Sequence, residues 1–237
     1  MTKPDIRALL FDVFGTVVDW RASIVGEGLA MNRRLGIDVD WEVFADRWRG
    51  MYQPAMERVR TGERPWTILD VLHRESLDTL LPEFGLDHLD EPARDRLNRV
   101  WHRLRPWPDA AAGLARMKDT RVIATCSNGN VALIVNMARF SSLPWDMVLG
   151  AEVTRHYKPQ PGAYLESVRM LGLAPEQCCM VAAHNSDLVA AEALGLATAF
   201  VPRPTEYGPD QDFDLVAEND YTYVATDFID LAEQLEG

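Results

Sequence analysis

Four short stretches of the sequence carry polar side chains of the types that perform nucleophilic or acid–base chemistry. They are residues 12–16, 127–130, 156–159 and 184–187. Each stretch follows a short apolar run of the kind that forms a strand buried on both faces of a sheet. Because ligands of open parallel sheets bind beyond the carboxyl ends of the strands, we expect these four stretches to meet at one site.

The spacing of these stretches indicates a repeating unit and one large insert. Lys158 lies 31 residues after Ser127, and Asp187 lies 29 residues after Lys158. Both separations are close to the ~30 residues of one strand–helix–strand unit. Ser127 lies 115 residues after Asp12. Subtracting one unit leaves about 85 residues, so the sequence predicts an insert between the first two long strands.

The predicted insert has the apolar pattern of helices. Behind Asp40, a residue suited to begin a helix, bulky apolar side chains recur at a period near 3.6 over residues 41–52. Beyond the insert, short β-rich runs alternate with helical ones, which is typical of a parallel sheet covered by helices. We therefore predict an α/β core domain and a helical domain, with the core at residues 1–18 and 106–237 and the helical domain at residues 19–105.

The residue types at the predicted site fit a covalent reaction. Asp12 can act as a nucleophilic carboxylate, and Thr16, four residues later, can hydrogen-bond it. Lys158 can hold a carboxylate ionised and aimed. Asp187 can orient a water molecule or fix Lys158, and His184 is a further candidate for acid–base chemistry.

Each of these residues also has an ordinary structural explanation. Asp12 can be a turn residue, Lys158 a solvated surface charge, and Asp187 an acid favoured by the dipole in the first turn of a helix. Ser127 and Asn128 can begin a helix as N-caps. The free N–H groups at such a helix start also suit a substrate carboxylate, so the two interpretations are compatible.

In this order and with this insert, the four stretches resemble the haloacid dehalogenase superfamily over nearly the whole chain. Phosphatases of that superfamily carry a second Asp two residues after the nucleophile, which binds Mg²⁺ and serves as general acid. Phe14 occupies that position here, and an apolar ring offers no oxygen ligand to a hard cation. The run DVFGT at residues 12–16 is instead similar to the type II (S)-2-haloacid dehalogenases, whose usual residue at this position is Tyr.

The resemblance implies an α/β fold with a Rossmann-like parallel sheet core and an inserted all-helical cap domain. It also implies a hydrolase that acts on the carbon–halogen bond of short 2-haloalkanoic acids, such as haloacetate and 2-halopropanoate, and yields 2-hydroxy acids. Asp12 displaces the halide and forms an ester, which water then hydrolyses. The expected partners are the haloacid and water, with no metal and no other cofactor.

The candidate residues form two groups. The expected catalytic residues are Asp12, Thr16, Lys158, His184 and Asp187. The expected substrate-binding residues are Phe14, Arg49, Ser127, Asn128 and Asn185, and no metal ligand is expected. Arg49 is included because it follows a Trp, as does the arginine that assists halide departure in the family.

The fourth stretch departs from the family pattern of Ser-Ser-Asn followed three residues later by Asp. Asp187 matches, but Ala182 stands for the first Ser and His184 for the Asn. This departure leads to the hypothesis that His184 or Asn185 takes over part of the positioning of the hydrolytic water.

Two other functions compete with dehalogenation. A Mg²⁺-dependent small-molecule phosphohydrolase of the same superfamily is opposed by Phe14. A relative that binds an anion without catalysis is compatible with the altered fourth stretch. A phosphonate-cleaving relative would need a lysine in the insert for a Schiff base, and residues 4–117 contain none.

The composition indicates which partners to exclude and in which compartment to expect the protein. The formal net charge of −12 repels phosphate backbones and anionic lipids, so nucleic acid and membranes are not expected partners. Three cysteines, Cys126, Cys178 and Cys179, do not make a disulfide framework. No apolar stretch approaches the ~18 residues of a membrane span. We therefore expect a cytoplasmic protein, and the resemblance implies a homodimer.

Overall fold

The centre of the molecule is a six-stranded, all-parallel sheet in the order β5-β4-β1-β6-β7-β8. The computed structural model describes residues 5–236. The strands are β1 (Ala8–Phe11), β2 (Val18–Asp19), β3 (Arg105–Pro106), β4 (Val122–Ser127), β5 (Met147–Gly150), β6 (Cys178–Ala182), β7 (Ala197–Phe200) and β8 (Tyr223–Val224). The predicted α/β fold with a parallel sheet is confirmed.

Strand β1 lies in the middle of the sheet because every residue in it is apolar and both its faces are covered. Leu10 is in register with Ala124 of β4 on one side and with Met180 of β6 on the other. All four residues of β1 are fully buried. The pairing of β1 on both sides therefore fixes the position of the residues that follow it at the carboxyl end of the sheet.

Helices of two groups surround the sheet. Those between β2 and β3 are α1 (Trp20–Leu35), α2 (Trp41–Gly50), α3 (Tyr52–Arg60), α4 (Leu69–Leu80) and α5 (Glu91–Asn98), with 3₁₀ segments at Leu81–Phe84 and Arg99–Arg103. Those after β3 are α6 (Ala110–Lys118), α7 (Val131–Ser141), α8 (Ala151–Thr154), α9 (Pro161–Met170), α10 (Asn185–Glu192) and α11 (Phe228–Glu236), with a 3₁₀ segment at Pro175–Gln177. Within residues 5–236, no helix is long and apolar enough to cross a membrane.

The first group, which we call the insert, leaves and rejoins the sheet domain through one short ladder. Strands β2 and β3 pair antiparallel, with Val18 opposite Pro106 and Asp19 opposite Arg105. The same Asp19 accepts a hydrogen bond from the backbone N–H of Ala22 (2.9 Å) and so begins α1. The ladder lies where the sequence predicts the division between domains; the division itself stays a prediction.

The insert packs aromatic side chains against one another in a core between its helices. Asp40 begins α2, as predicted, by accepting from the N–H groups of Glu42 and Val43. The apolar face of α2 includes Phe44 and Trp48, both essentially inaccessible to solvent. Burying a side chain of this size contributes about 1.5–3 kcal/mol, and here it stabilises the packing of the insert helices on one another, because the ring of Trp48 contacts His73 and Trp101.

Candidate active site

Three predicted residues form a buried cluster of alternating charge at the carboxyl edge of the sheet. Asp12 directly follows β1, Lys158 follows α8, and Asp187 lies in the first turn of α10. The Lys158 ammonium donates to Oδ1 of Asp12 at 2.8 Å and to Oδ2 of Asp187. All three side chains are less than a tenth exposed. The predicted meeting of distant stretches therefore occurs in the fold.

The second carboxylate oxygen of Asp12 has two donors. Thr16 Oγ1 donates to Asp12 Oδ2 at 2.8 Å, and Nδ1 of His184 lies 3.2 Å from the same oxygen. The Thr16 hydroxyl is held in turn by the backbone N–H of Ala183 (2.9 Å). Oδ1 faces one donor and Oδ2 faces two, so Oδ1 is the oxygen with more freedom to form a new bond.

These charges fix the ionisation of the cluster. Burial favours the neutral carboxyl of Asp12, but the charge of Lys158 and the hydrogen bond from His184 outweigh it and lower its pKa. Burial also disfavours the Lys158 ammonium, but the charges of Asp12 and Asp187 outweigh it and raise its pKa. At neutral pH, Asp12 is therefore a carboxylate and Lys158 an ammonium.

His184 bridges Asp12 to Glu206, a residue that sequence reasoning missed. Its Nε2 lies 2.9 Å from Glu206 Oε2, and Trp20 Nε1 donates to the other oxygen at 2.9 Å. Both partners of the imidazole are carboxylates, so both ring nitrogens must carry a proton for both bonds to form. Burial opposes that charge, but Glu206 and Asp12 outweigh it and hold the pKa of His184 well above its usual value.

Glu206 approaches the nucleophile loop so closely that the loop needs a glycine. Gly15 has a φ of +87°, and a Cβ there would lie 2.1 Å from Glu206 Oε1. Glu206 lies 191 residues beyond Gly15, in a proline-rich segment, and no periodicity or motif connects the two in the sequence. Gly15 is the one sequence signal that a group packs against this turn.

Tyr164 is a second residue that sequence reasoning missed. Its hydroxyl, on α9, donates to Oδ1 of Asp187, while Lys158 binds the other oxygen of that carboxylate. Burial and the negative charge of Asp187 raise the pKa of Tyr164, so its hydroxyl keeps its proton and acts as a donor. Asp187 is thereby fixed in orientation from two sides.

The predicted residues after β4 divide in their roles. Asn128 Oδ1 accepts from the backbone N–H of Lys158 at 2.8 Å, and Asn128 also lines the cavity described below. Ser127 is fully buried, and its Oγ accepts from the N–H of Gly129 at 3.0 Å. Ser127 therefore shapes the turn, whereas Asn128 faces the site.

Arg49 and Phe14 form the apolar and cationic side of the site. The Arg49 guanidinium lies over the rings of Tyr52 (4.3 Å) and Trp20 (5.3 Å), and its buried Nη1 has no hydrogen-bond partner. Phe14 packs edge-on against Tyr52 and Trp101. The Arg49 guanidinium has an N–H without a partner and lies beside aromatic rings, and such a site suits a small, weakly hydrated anion.

These side chains surround a cavity of about 230 Å³. It is lined by Asp12, Phe14, Arg49, Tyr52, Gln53, Asn128, Lys158, Pro159, Tyr164, His184, Ser186, Asp187, Tyr207 and Asp214. Its size is at or below the lower end of the range for sites that take drug-sized molecules, which favours a ligand of a few heavy atoms.

The structure does not bring Asn185 to this cavity. Its side-chain amide donates to Asp214 Oδ1 (2.8 Å) and to the carbonyl of Val216 (3.1 Å), and its Oδ1 accepts from the N–H of Glu218 (3.0 Å). Asn185 is at the start of α10, and its side chain is turned toward the loop at residues 214–218. It holds that loop in place.

The side chains of the site do not fit a divalent metal ion. The Lys158 ammonium occupies the space between the carboxylates of Asp12 and Asp187, and Oδ2 of Asp12 already has two donors. Phe14 supplies no oxygen at the position where a further ligand would be needed. Across residues 5–236, no group of three or more His, Cys, Asp or Glu side chains is arranged to hold a metal ion.

The fold is an α/β domain with a parallel sheet and a helical insert. At the carboxyl edge of the sheet, Lys158 lies between two carboxylates, and this combination is typical of one family of hydrolases. Residues 6–195 match the family model of the haloacid dehalogenase-like hydrolases, and the chain belongs to that family. The predicted family membership is confirmed.

Two solved structures and one curated protein are similar over most of the chain. The L-2-haloacid dehalogenase PA0810 is 52% identical with a TM-score of 0.95, over 98% of this chain and 99% of that one. The defluorinating L-2-haloacid dehalogenase Rha0230 is 46% identical with a TM-score of 0.95, over 98% and 96% of the two chains. The (S)-2-haloacid dehalogenase 4A of Burkholderia cepacia is 28% identical over 85% of this chain and 87% of its own.

Proposed function

We propose that this protein hydrolyses short 2-haloalkanoic acids to 2-hydroxy acids through an ester on Asp12, without a metal ion. The observation that carries the proposal is the pairing of the Asp12 carboxylate with the Lys158 ammonium at 2.8 Å, beside Phe14 and a small cavity. Similarity to proteins named L-2- or (S)-2-haloacid dehalogenases supports the same reaction.

In the first step, Oδ1 of Asp12 attacks the carbon that bears the halogen. A C–O bond forms, the carbon–halogen bond breaks, and the halide leaves with the electron pair. Because Oδ1 attacks from the side opposite the halide, the configuration at carbon inverts. A negative nucleophile approaches a negative substrate, and the site must therefore supply positive charge. Lys158 supplies it beside the nucleophile, and the unused Arg49 donor supplies it for the halide.

The substrate carboxylate needs donors of its own, to the side of the line that joins the attacking oxygen, the carbon and the halide. Asn128 lines the cavity, and its side-chain oxygen is fixed by Lys158 N–H, which sets the direction of its amide N–H₂ group. Helix α7 starts close by at Val131, but the N–H of Val131 already donates to Glu152 Oε2 at 2.6 Å, so Asn128 is the donor we assign to the substrate carboxylate. Ser127 acts indirectly, because it shapes the turn that presents Asn128.

In the second step, water attacks the carboxyl carbon of the Asp12 ester. The water gives its proton to Asp187, and negative charge develops on Oδ2, which faces Thr16 and His184. Collapse of the tetrahedral intermediate breaks the bond between the carboxyl carbon and the ester oxygen Oδ1 and expels the 2-hydroxy acid, whose alkoxide takes the proton back from Asp187. The second proton of the water leaves Asp12 for the solvent and restores the carboxylate. We assign His184 the role of donor to Oδ2, with Glu206 as the residue that keeps it protonated and oriented.

This assignment refines the hypothesis for the altered fourth stretch. His184 contacts the carboxylate that reacts, whereas the amide of Asn185 is engaged with the loop at residues 214–218. The observation supports His184 over Asn185. A pH–rate profile of His184→Ala that matches the parent would remove His184 from the mechanism.

The deciding experiment is halide release from chloroacetate and 2-chloropropanoate in chelator-treated buffer. We expect release by the parent protein and none by Asp12→Asn, which keeps the size of the side chain and loses its charge. Fluoroacetate is a useful third substrate, because one similar protein is described as defluorinating. Phosphate release that requires Mg²⁺ would instead support the phosphohydrolase, and binding without turnover would support the non-catalytic alternative.

A single-turnover reaction in ¹⁸O-water tests the covalent step. With enzyme in excess over substrate, the label is expected in Asp12 and not in the first 2-hydroxy acid formed, because water attacks the carboxyl carbon. Mass spectrometry of the peptide that contains Asp12 measures this. Label found directly in the product would show that water attacks the substrate carbon.

Three broader expectations belong to the same proposal. The insert acts as a cap over the core domain, with boundaries at residues 19–105. Three free, buried cysteines support a reducing compartment such as the cytoplasm. The exposed apolar side chains Leu29, Leu35 and Val43 on the insert support a homodimer. Sedimentation of the purified protein tests the last expectation.

A further inference from the structure

The last residue of helix α3 in the insert forms a hydrogen bond with the main chain of Lys158 in the sheet domain. Arg60, the last residue of α3, donates from Nη1 to the carbonyl oxygen of Lys158 at 2.8 Å. In return, the side chain of Gln160 donates to the carbonyl oxygen of Arg60 at 3.3 Å. Two reciprocal bonds therefore join the insert to the segment that carries the site lysine.

The remaining donors of Arg60 hold its guanidinium in place. Nε donates to Glu57 at 2.7 Å and Nη2 to Gln53 Oε1 at 3.1 Å. The Arg60 side chain is 11% exposed. Gln53 lines the cavity, so one planar guanidinium connects the cavity wall in the insert to the backbone of Lys158.

Lys158 is otherwise held by groups of the sheet domain. Its backbone N–H donates to Asn128, and its ammonium donates to Asp12 and Asp187. The Lys158 carbonyl is the group of this residue that accepts a hydrogen bond from the insert. A charged donor makes a stronger hydrogen bond than a neutral one. Without the Arg60 guanidinium, the carbonyl group of Lys158 would lose this bond and could move.

A neighbouring contact brings the insert to the same segment. The hydroxyl of Tyr157 donates to the carbonyl of Thr67 at 2.7 Å, and its ring stacks on Trp66 with centroids 4.9 Å apart. This contact is independent of Arg60. It keeps the two parts together when Arg60 is replaced, so that the effect of Arg60 on Lys158 can be measured in a folded protein.

We propose that Arg60 is a positioning residue that sets the main chain of Lys158, and through it the ammonium beside Asp12, when the insert lies against the sheet domain. The inference rests on the proposed function, because the ammonium matters most while Asp12 attacks the substrate. Displacement of a positioned group by about 1 Å can slow a reaction by about 100-fold. Arg60 thereby links the packing of the insert on the sheet domain to the position of the reacting groups.

The test compares Arg60→Met with Arg58→Met. Arg58 lies on the same helix, is 57% exposed, and pairs with Glu63 at 2.7 Å. In single-turnover reactions with 2-chloropropanoate, Arg60→Met is expected to lower the rate of Asp12 ester formation about 10- to 100-fold. Arg58→Met is expected to stay within about 2-fold. Arg60→Lys, which keeps one charged donor, should fall between, and added guanidinium ion should restore part of the Arg60→Met rate.

Amide hydrogen exchange gives a readout that does not depend on turnover. Exchange in the peptide that spans residues 157–160 should be faster in Arg60→Met than in Arg58→Met when each variant is measured at the same interval below its own melting temperature. Equal ester formation and equal exchange in the two variants would overturn the proposal. If the parent protein releases no halide but exchange still differs, the proposed function fails while the link between Arg60 and Lys158 stands.

Discussion

Replacement of His73 by Phe should make the protein less sensitive to acid. His73 lies on α4, is 3% exposed, and stacks on Trp101 with ring centroids 4.2 Å apart. Neither ring nitrogen has a hydrogen-bond partner. Burial, reinforced by the nearby charge of Arg49, lowers the pKa of His73 to about 3 from its ordinary value of 6.5.

The size and sign of the effect follow from proton binding. Between pH 6.5 and 3 the unfolded chain binds a proton at His73 that the folded protein does not bind, so stability falls as the pH falls. Each pH unit within this window removes about 1.4 kcal/mol. From pH 7.5 to pH 5.0, His73 therefore lowers the free energy of unfolding by about 2 kcal/mol.

Urea unfolding at pH 7.5 and pH 5.0 measures this contribution. Phe keeps a flat ring on Trp101 and cannot bind a proton, so His73→Phe should lose about 2 kcal/mol less than the parent between the two pH values. Other titrating groups are common to both proteins and cancel in this difference. Equal losses in parent and variant would refute the argument that His73 is held neutral by burial.

Three further predictions concern the site. Gly15→Ala should displace Glu206 and slow ester hydrolysis, leaving a burst of one halide per enzyme, since a Cβ would lie 2.1 Å from that carboxylate. His184→Gln should destabilise the protein most below pH 6.5, and the difference in melting temperature should shrink as the pH rises through the raised pKa of His184. Tyr164→Phe removes a donor to Asp187 and should lower the free energy of unfolding by about 1.5–3 kcal/mol in urea.

The fold could be predicted because its signals are local. Apolar runs mark the buried strands, and the spacing between the polar stretches marks the strand–helix units. Asp40 could be identified as the start of α2, because its carboxylate and the apolar period behind it are both readable in the sequence. The tendency of residues 221–224 to form a strand predicts a longer β8 than the structure has, since β8 covers Tyr223–Val224, the two residues that pair with β7.

The site could be predicted only in part. Asp12 and Asp187 come after strands β1 and β6, and Lys158 comes after β5 and the short helix α8, so the topology that brings them to the same edge of the sheet could be anticipated. Glu206 and Tyr164 could not be found in this way, since neither belongs to a motif and each acts by packing across the fold. Their roles, like those of the other site residues, stay predictions.

The sequence by itself determined the strands, the insert and the replacement of a second acid by Phe14. These depend on residue type and on separations of a few to about 30 residues along the chain. The tertiary structure decided the partners of each group: His184 lies between two carboxylates, Asn185 turns away from the cavity, and Arg60 contacts Lys158 across 98 residues. Hydrogen-bond partners depend on distances in space, and those are set only when the insert packs on the sheet.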